Sequence, residues 1–246
     1  GLIQPMMAGQ QNAAAHDRIG HRIAFGPGAA FNLLHRRLAQ DIAGLQTVER
    51  LADHLTELAD IVVRITLDLC WSKLKNRHPF PERPPKFAVI GYGKLGGKEL
   101  GYGSDLDLVF LHNDPEPNTG EVYARLGQRM SSWMSSQTSA GILFETDLRP
   151  RPNGDAGMLV STTEGFREEQ PEKAWEWEHQ ALTRARFCAG DAELGAQFEA
   201  IRIEILRQPR DLAKLREDVL VMRKRMLDTH ASNSEEFFDL KQDPGG

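Results

Sequence analysis

Two aspartates one residue apart, Asp105 and Asp107, stand at the entrance of an apolar run, Leu106 to Leu111, behind a segment crowded with glycine. In an extended strand residues i and i+2 point the same way, roughly 6.6 Å apart. Asp105 and Asp107 therefore share one face, and Leu106, Leu108 and Phe110 share the other. Unpaired carboxylates held side by side repel by a few kcal/mol even at an effective dielectric of about 20. A hard divalent cation with oxygen ligands offsets that repulsion.

The glycines stand at 91, 93, 96, 97, 101 and 103, between Phe87–Ile90 and the aspartates. Gly91-x-Gly93-x-x-Gly96 after a strand matches a dinucleotide-binding fingerprint, but that motif must open a crossover helix of a dozen or more residues. Here the next strand begins soon after Gly96, and Gly101 and Gly103 would break the helix. Gly93-x-x-x-Gly97-Lys98-Glu99 is one residue short of a P-loop and carries Glu where Ser or Thr must hold magnesium. A glycine-rich hairpin with two solvated aspartates explains neither the number of glycines nor their placement. A turn whose backbone N–H groups hold a triphosphate beside a metal-binding Asp-x-Asp uses every unusual residue.

The elements that must position these residues follow from periodicity. Phe87–Ile90 and Leu106–Leu111 read as strands. After Gly141 a third strand, ILFETDLR, sets Glu145, Asp147 and Arg149 on one face. On composition alone Asp147 serves as well for a salt bridge to Arg149 as for a ligand. Residues 29–45 are expected as a helix stopping near Gly44. The clearest helical pattern is Val48, Leu51, Leu55, Leu58, Val62, Ile65 and Leu69, which lines one face for packing along the sheet. HPFPERPP, residues 78–85, is a stiff linker into the first strand. Val122, Leu126, Met130, Trp133 and Met134 stripe another helix, and Leu212, Leu215, Val219, Met222 and Met226 a later one. Residues 1–20 are polar and aperiodic, expected as a frayed end or part of a preceding segment.

The chain has 246 residues, a formal net charge of −5 and a sequence pI of about 5.9. That charge disfavours a general nucleic-acid binder. Cys70 and Cys188 lack metal-type spacing and read as buried thiols in a reducing cytoplasm, unpaired with each other. No export or membrane segment is recognisable, so a soluble cytoplasmic protein is expected.

GYGKLGGKELGYGSDLDLVFLH, residues 91–112, resembles the nucleotidyltransferase signature of the glutamine synthetase adenylyltransferase family, within the DNA polymerase β-like superfamily. Gly101-Tyr102-Gly103 is similar to the adenylylating half of that bifunctional family and differs from the Asn and Ser of the adenylyl-removing half. Residues 147–154 are similar to a family pattern approximated by DxRLRPxG, with Pro150 where Leu is usual. Residues 171–187, PEKAWEWEHQALTRARF, resemble a family helix, and FFDLKQDPGG at the end resembles FD(I/L)KxxxGG.

The resemblance implies an α+β polymerase β-like core: a short mixed sheet with strands near 87–92, 106–112 and 142–149, helices on one face, and helical flanks. It implies an N-terminal helical segment over 1–46, a nucleotidyltransferase domain over 47–190, and over 191–246 the start of a truncated helical region. The implied activity moves AMP from ATP to a tyrosine of glutamine synthetase, with two Mg²⁺ ions held by Asp105, Asp107 and Asp147. Backbone groups of Gly96, Gly97 and Ser104, with Lys94 or Lys98, would meet the β- and γ-phosphates. Arg149, Arg151 and Arg184 are further nucleotide-binding candidates. Arg184 and Arg186 serve equally as solvated residues or as partners of Glu176 or Glu178, and Lys241 as a phosphate contact or a surface lysine. His179 is expected as a hydrogen-bonding structural residue. The resemblance also implies a PII signal protein and glutamine as effectors. Phosphorolytic removal of AMP, or a nucleotide-bound docking fragment without turnover, are the rival readings.

Overall fold

A computed structural model of the chain describes residues 27–75, 83–116, 119–137, 141–142, 144–148, 159–172 and 176–230. The frame of the site is an antiparallel pair, β1 (Phe87–Gly91) and β2 (Leu106–His112), with Ile90 opposite Val109 and Gly91 opposite Leu108. The antiparallel register rules out a crossover between them, as the short glycine-rich connection requires. β3 (Thr146–Asp147) and β4 (Val160–Thr162) both run parallel to β2, and β5 (Arg186–Gly190) pairs antiparallel with β1. The result is a mixed sheet in the order β3-β2-β1-β5, with β4 also on β2.

Helices cover both faces, where cover on one was expected. On one side Phe87, Val89, Leu106, Leu108 and Phe110 pack with α2 (Val48–Lys75) and α4 (Thr119–Met134). On the other, Ala88, Ile90, Val109 and Leu111 pack with α5 (Thr163–Glu172), α6 (Glu176–Leu182) and α7 (Ala192–Leu206). The reason lies in β2 itself: beyond Asp107 its carboxylate-bearing face turns apolar at Val109 and Leu111, and that half demands burial. α7 is started by Asp191, whose side chain accepts from the N–H groups of Glu193 and Leu194.

α2 follows α1 (Pro27–Ile42) and is the long helix the sequence predicts, but its buried line drifts. Leu51, Leu55 and Leu58 are buried as expected, whereas Val48 and Leu69 are exposed and Val63, Leu67, Cys70, Trp71 and Leu74 are buried instead. The expected positions repeat every 3.5 residues, and on a straight helix such a line slips by about 20° per heptad. In α4, Trp133 leaves the expected stripe for the surface, where Lys73 Nζ lies 4.6 Å from its ring centroid; Tyr123 takes the buried place.

Residues 171–187 are not one helix: after α6 the chain turns at Thr183–Arg184 and enters β5. Pairing with β1 overrides the local helical pattern there. α8 (Leu212–His230) forms as expected, yet Leu212 and Val219 are exposed, and among the described side chains neither core cluster contains a residue of α8. Both cysteines are free. No helix among the described residues is long and apolar enough to cross a membrane.

Candidate active site

β2 carries Asp107 as its second residue, Asp105 immediately precedes the strand, and the parallel register of β3 sets Asp147 directly opposite Asp107. The Leu106 N–H donates to Glu145 O at 2.9 Å, locking the two strands just before that pair. One oxygen from each of Asp105, Asp107 and Asp147 lies within 4.8 Å of the other two. Asp105 is exposed, and Asp107 and Asp147 are half-buried. Three convergent carboxylates with access to solvent form an all-oxygen donor set suited to Mg²⁺ or Mn²⁺. The strand period predicted the first pair, and the pairing of β3 with β2 adds the third.

The glycine-rich segment forms a single helical turn, α3 (Gly93–Gly96), directly after β1. The Tyr92 N–H donates to Asp107 O at 2.9 Å, so the turn is tied to the strand that carries the aspartates. Gly93 has φ +54, and a Cβ built there would stand 2.1 Å from Asp107 Oδ2. At Gly96 a Cβ would stand 2.0 Å from Arg184 O and 2.5 Å from Gly91 O. Side chains are thus excluded at these two positions by the carboxylate on one side and by the approach to β5 on the other.

The amides assigned to phosphate are engaged within this segment. Gly96 N–H donates to Tyr92 O (2.9 Å), Gly97 N–H to Gly93 O (3.0 Å) and Ser104 N–H to Gly101 O (3.3 Å). Ser104 is buried, and its Oγ accepts from Gly101 N–H at 3.1 Å. Lys94 and Lys98 are exposed on the turn, Lys98 with a left-handed φ of 57.

The two arginines of the RAR segment have partners that differ from Glu176 and Glu178. Arg184 pairs with Glu99 across Gly97, and both side chains are exposed. Arg186 is directed inward: its guanidinium donates to Asp60 Oδ1 on α2 at 2.8 Å and to Leu95 O at 3.3 Å. Asp60 is a contributor to this region that the periodicity of α2 did not single out. Burial beside this pair pushes the Cys188 thiol up to about 12, so it is no nucleophile at neutral pH. His179 is buried with Nδ1 3.4 Å from an Arg210 nitrogen, the structural place expected for it. Arg149, Arg151 and Lys241 lie outside the described residues.

Residues 32–201, more than half of the chain, match the family described as glutamate-ammonia ligase adenylyltransferase (GlnE). The chain is 64% identical over 211 residues to the bifunctional glutamine synthetase adenylyltransferase/adenylyl-removing enzyme of Aromatoleum aromaticum. It is 54% identical over 211 residues to the protein of that name from Nitrosomonas europaea, and 46% identical over 249 residues to that of Burkholderia mallei. The matched regions cover 86%, 86% and 95% of this chain but only 22%, 22% and 26% of those relatives.

Proposed function

The chain belongs to the glutamate-ammonia ligase adenylyltransferase family, and from that premise we propose that it transfers AMP from ATP to a tyrosine hydroxyl of glutamine synthetase, releasing pyrophosphate. The observation that carries this reading is the convergence of Asp105, Asp107 and Asp147 beside the glycine turn. The three carboxylates would hold a pair of Mg²⁺ ions, which supply charge neutralisation for the leaving pyrophosphate and favour the ionised tyrosine oxygen.

This chain's own residues do the positioning. Asp107 lies on β2, Asp105 just before that strand and Asp147 on the neighbouring one, so the site has a pair close in sequence and a separate third carboxylate. In this reading Asp147 accepts the tyrosine proton, and attack at the α-phosphorus is in line with departure of pyrophosphate. The turn from Gly93 to Gly97 presents bare backbone to the β- and γ-phosphates. Because the amides of Gly96, Gly97 and Ser104 already have acceptors, positive charge from Lys94 or Lys98 and from Arg184 carries more of the phosphate contact. Arg149 and Arg151, just beyond Asp147 in sequence, complete the proposed nucleotide contacts. The transferase unit is placed at residues 47–190, and a cytoplasmic location with PII protein and glutamine as effectors belongs to the same proposal.

The curated relatives are named for both adenylylation and its removal. Gly101-Tyr102-Gly103 favours the forward direction on the family resemblance. Pyrophosphate release from ATP should require glutamine synthetase and should vanish in Asp107→Asn while circular dichroism stays unchanged. Wild-type release by Asp107→Asn would refute the site. Release of ADP from adenylylated glutamine synthetase and inorganic phosphate would instead assign removal.

A further inference from the structure

Asp147 sits on the shortest strand of the sheet. β3 has two residues and only two register pairs with β2, Leu106 with Thr146 and Asp107 with Asp147. Its carboxylate must nevertheless keep an oxygen within 4.8 Å of those of Asp105 and Asp107. So short a ladder resists slippage poorly, and a carboxylate carried on it needs a second anchor.

Thr146 provides one. Successive side chains of a strand leave opposite faces, so Thr146 points away from the carboxylates when Asp147 points toward them. On its side Thr146 Oγ1 lies 3.1 Å from Ser131 Oγ, in the last turn of α4, and 3.0 Å from Ser135 Oγ, one residue past the end of that helix. Ser131 and Ser135 are four residues apart, and the Ser135 N–H donates to Ser131 O at 3.0 Å, which continues the helical spacing past Met134 and brings the two hydroxyls to the same side. A hydroxyl offers one proton and two lone pairs, which lets a single Thr oxygen bond both serines at once. The β-branched side chain has few χ1 choices, so the two bonds fix the backbone of β3 as well as the hydroxyl. Leu126, Met130 and Met134 anchor α4 in the core, and the latch therefore ties Asp147 to a rigid element.

We infer that Thr146, held by Ser131 and Ser135, is a positioning residue that keeps Asp147 in register to complete the three-carboxylate cation site. This rests on the cation reading of Asp105, Asp107 and Asp147 made above. Thr146→Val keeps the β-branched shape and strand preference and removes only the hydroxyl, whereas Thr146→Ser keeps the hydroxyl. Losing a hydrogen bond made directly to a metal ligand weakens metal binding about 10- to 100-fold. The Thr146 hydroxyl steadies the backbone that carries Asp147 and does not touch its carboxylate, so its loss is expected at the lower end, about tenfold.

The test is Mn²⁺ titration of the chain followed by electron paramagnetic resonance, with thermal melting of the metal-free protein alongside. Wild type should bind Mn²⁺, Thr146→Val and the double variant Ser131→Ala/Ser135→Ala should bind about tenfold more weakly, and Thr146→Ser should return most of the affinity. If either Thr146→Val or the serine pair bound Mn²⁺ as wild type does, the positioning role would be overturned, even if the melting temperature fell. Absence of Mn²⁺ binding by the wild type would sink the cation reading itself, and this inference with it. Ser131 is half-buried and Ser135 exposed, so the serine pair keeps the test decisive should Thr146→Val fail to fold.

Discussion

At Gly93 the backbone of the turn and the carboxylate of β2 come closest. Two separate constraints exclude a side chain there: a left-handed φ of +54 and the Asp107 oxygen 2.1 Å from where Cβ would be. Gly93→Ala should therefore displace Asp107 and strain the turn together. The strain alone costs about 1–2 kcal/mol, and misplacing a reacting group by about 1 Å costs about 100-fold in rate. Melting and transfer rate measured on the same sample should show both losses. The Asp-x-Asp pair was legible in sequence because a strand has a period of two. The partners of Arg184 and Arg186 were not, because Glu99 and Asp60 are 85 and 126 positions away and only the fold brings them together.

At the scale of elements, Arg186 links three of them: β5, which carries it, α2 through Asp60, and the glycine turn through Leu95 O. Both side chains of the pair are mostly shielded, at 21% and 29% exposure, so solvent screens it less than a surface pair. Arg186→Met should destabilise the chain by about 1.5–3 kcal/mol, the worth of a charged hydrogen bond. With Asp60→Asn the effects should be non-additive, because the two share one contact. Urea melts of the two single variants and the double variant measure this. The long helix α2 was legible from its apolar repeat, but Val48 and Leu69 do not share its buried face, because a line every 3.5 residues slips round a straight helix. β4 and β5 were not legible at all: three and five residues long, they exist through pairing with β2 and β1. The start of α7 carried a readable signal in Asp191, an N-cap ahead of an apolar helix.

Across the whole molecule, the β1–β2 pair has the three carboxylates at one end and a clamp at the other. The clamp stands at the His112 end of β2, roughly 20 Å of strand from Leu106. There Arg83 donates to both Asp114 oxygens (2.8 and 2.9 Å), and Tyr123 donates its hydroxyl to Asp114 Oδ2 at 2.7 Å while accepting from Lys86 N–H at 3.0 Å. His112 stacks on Tyr123 with centroids 5.1 Å apart. Burial by itself would raise the Asp114 carboxyl, but hydrogen bonds from Tyr123, Arg83 and Glu116 N–H outweigh it and hold the group below its ordinary value. A depressed carboxyl contributes stability that is present above its unfolded pKa of about 4 and is lost as pH falls through the lower folded value. Melting temperature should therefore fall below about pH 4. Asp114→Asn should flatten that fall and cost about 1.5–3 kcal/mol at neutral pH by weakening the charged hydrogen bond with Arg83, whose partly exposed guanidinium water can take up. The clamp was not legible in sequence, because Arg83 and Asp114 are 31 positions apart and only the antiparallel register of β1 and β2 brings them together. The long signature around Asp105 and Asp107 carried the family assignment, and the family match over residues 32–201 agrees with it.

The most direct measurement is the intact mass of glutamine synthetase after incubation with this chain, ATP and Mg²⁺, beside the same reaction with Asp107→Asn. The account predicts a gain of one adenylyl group per subunit with the wild-type chain and none with the variant. An equal gain with Asp107→Asn, or no gain from a wild-type chain that binds Mg·ATP, would contradict it.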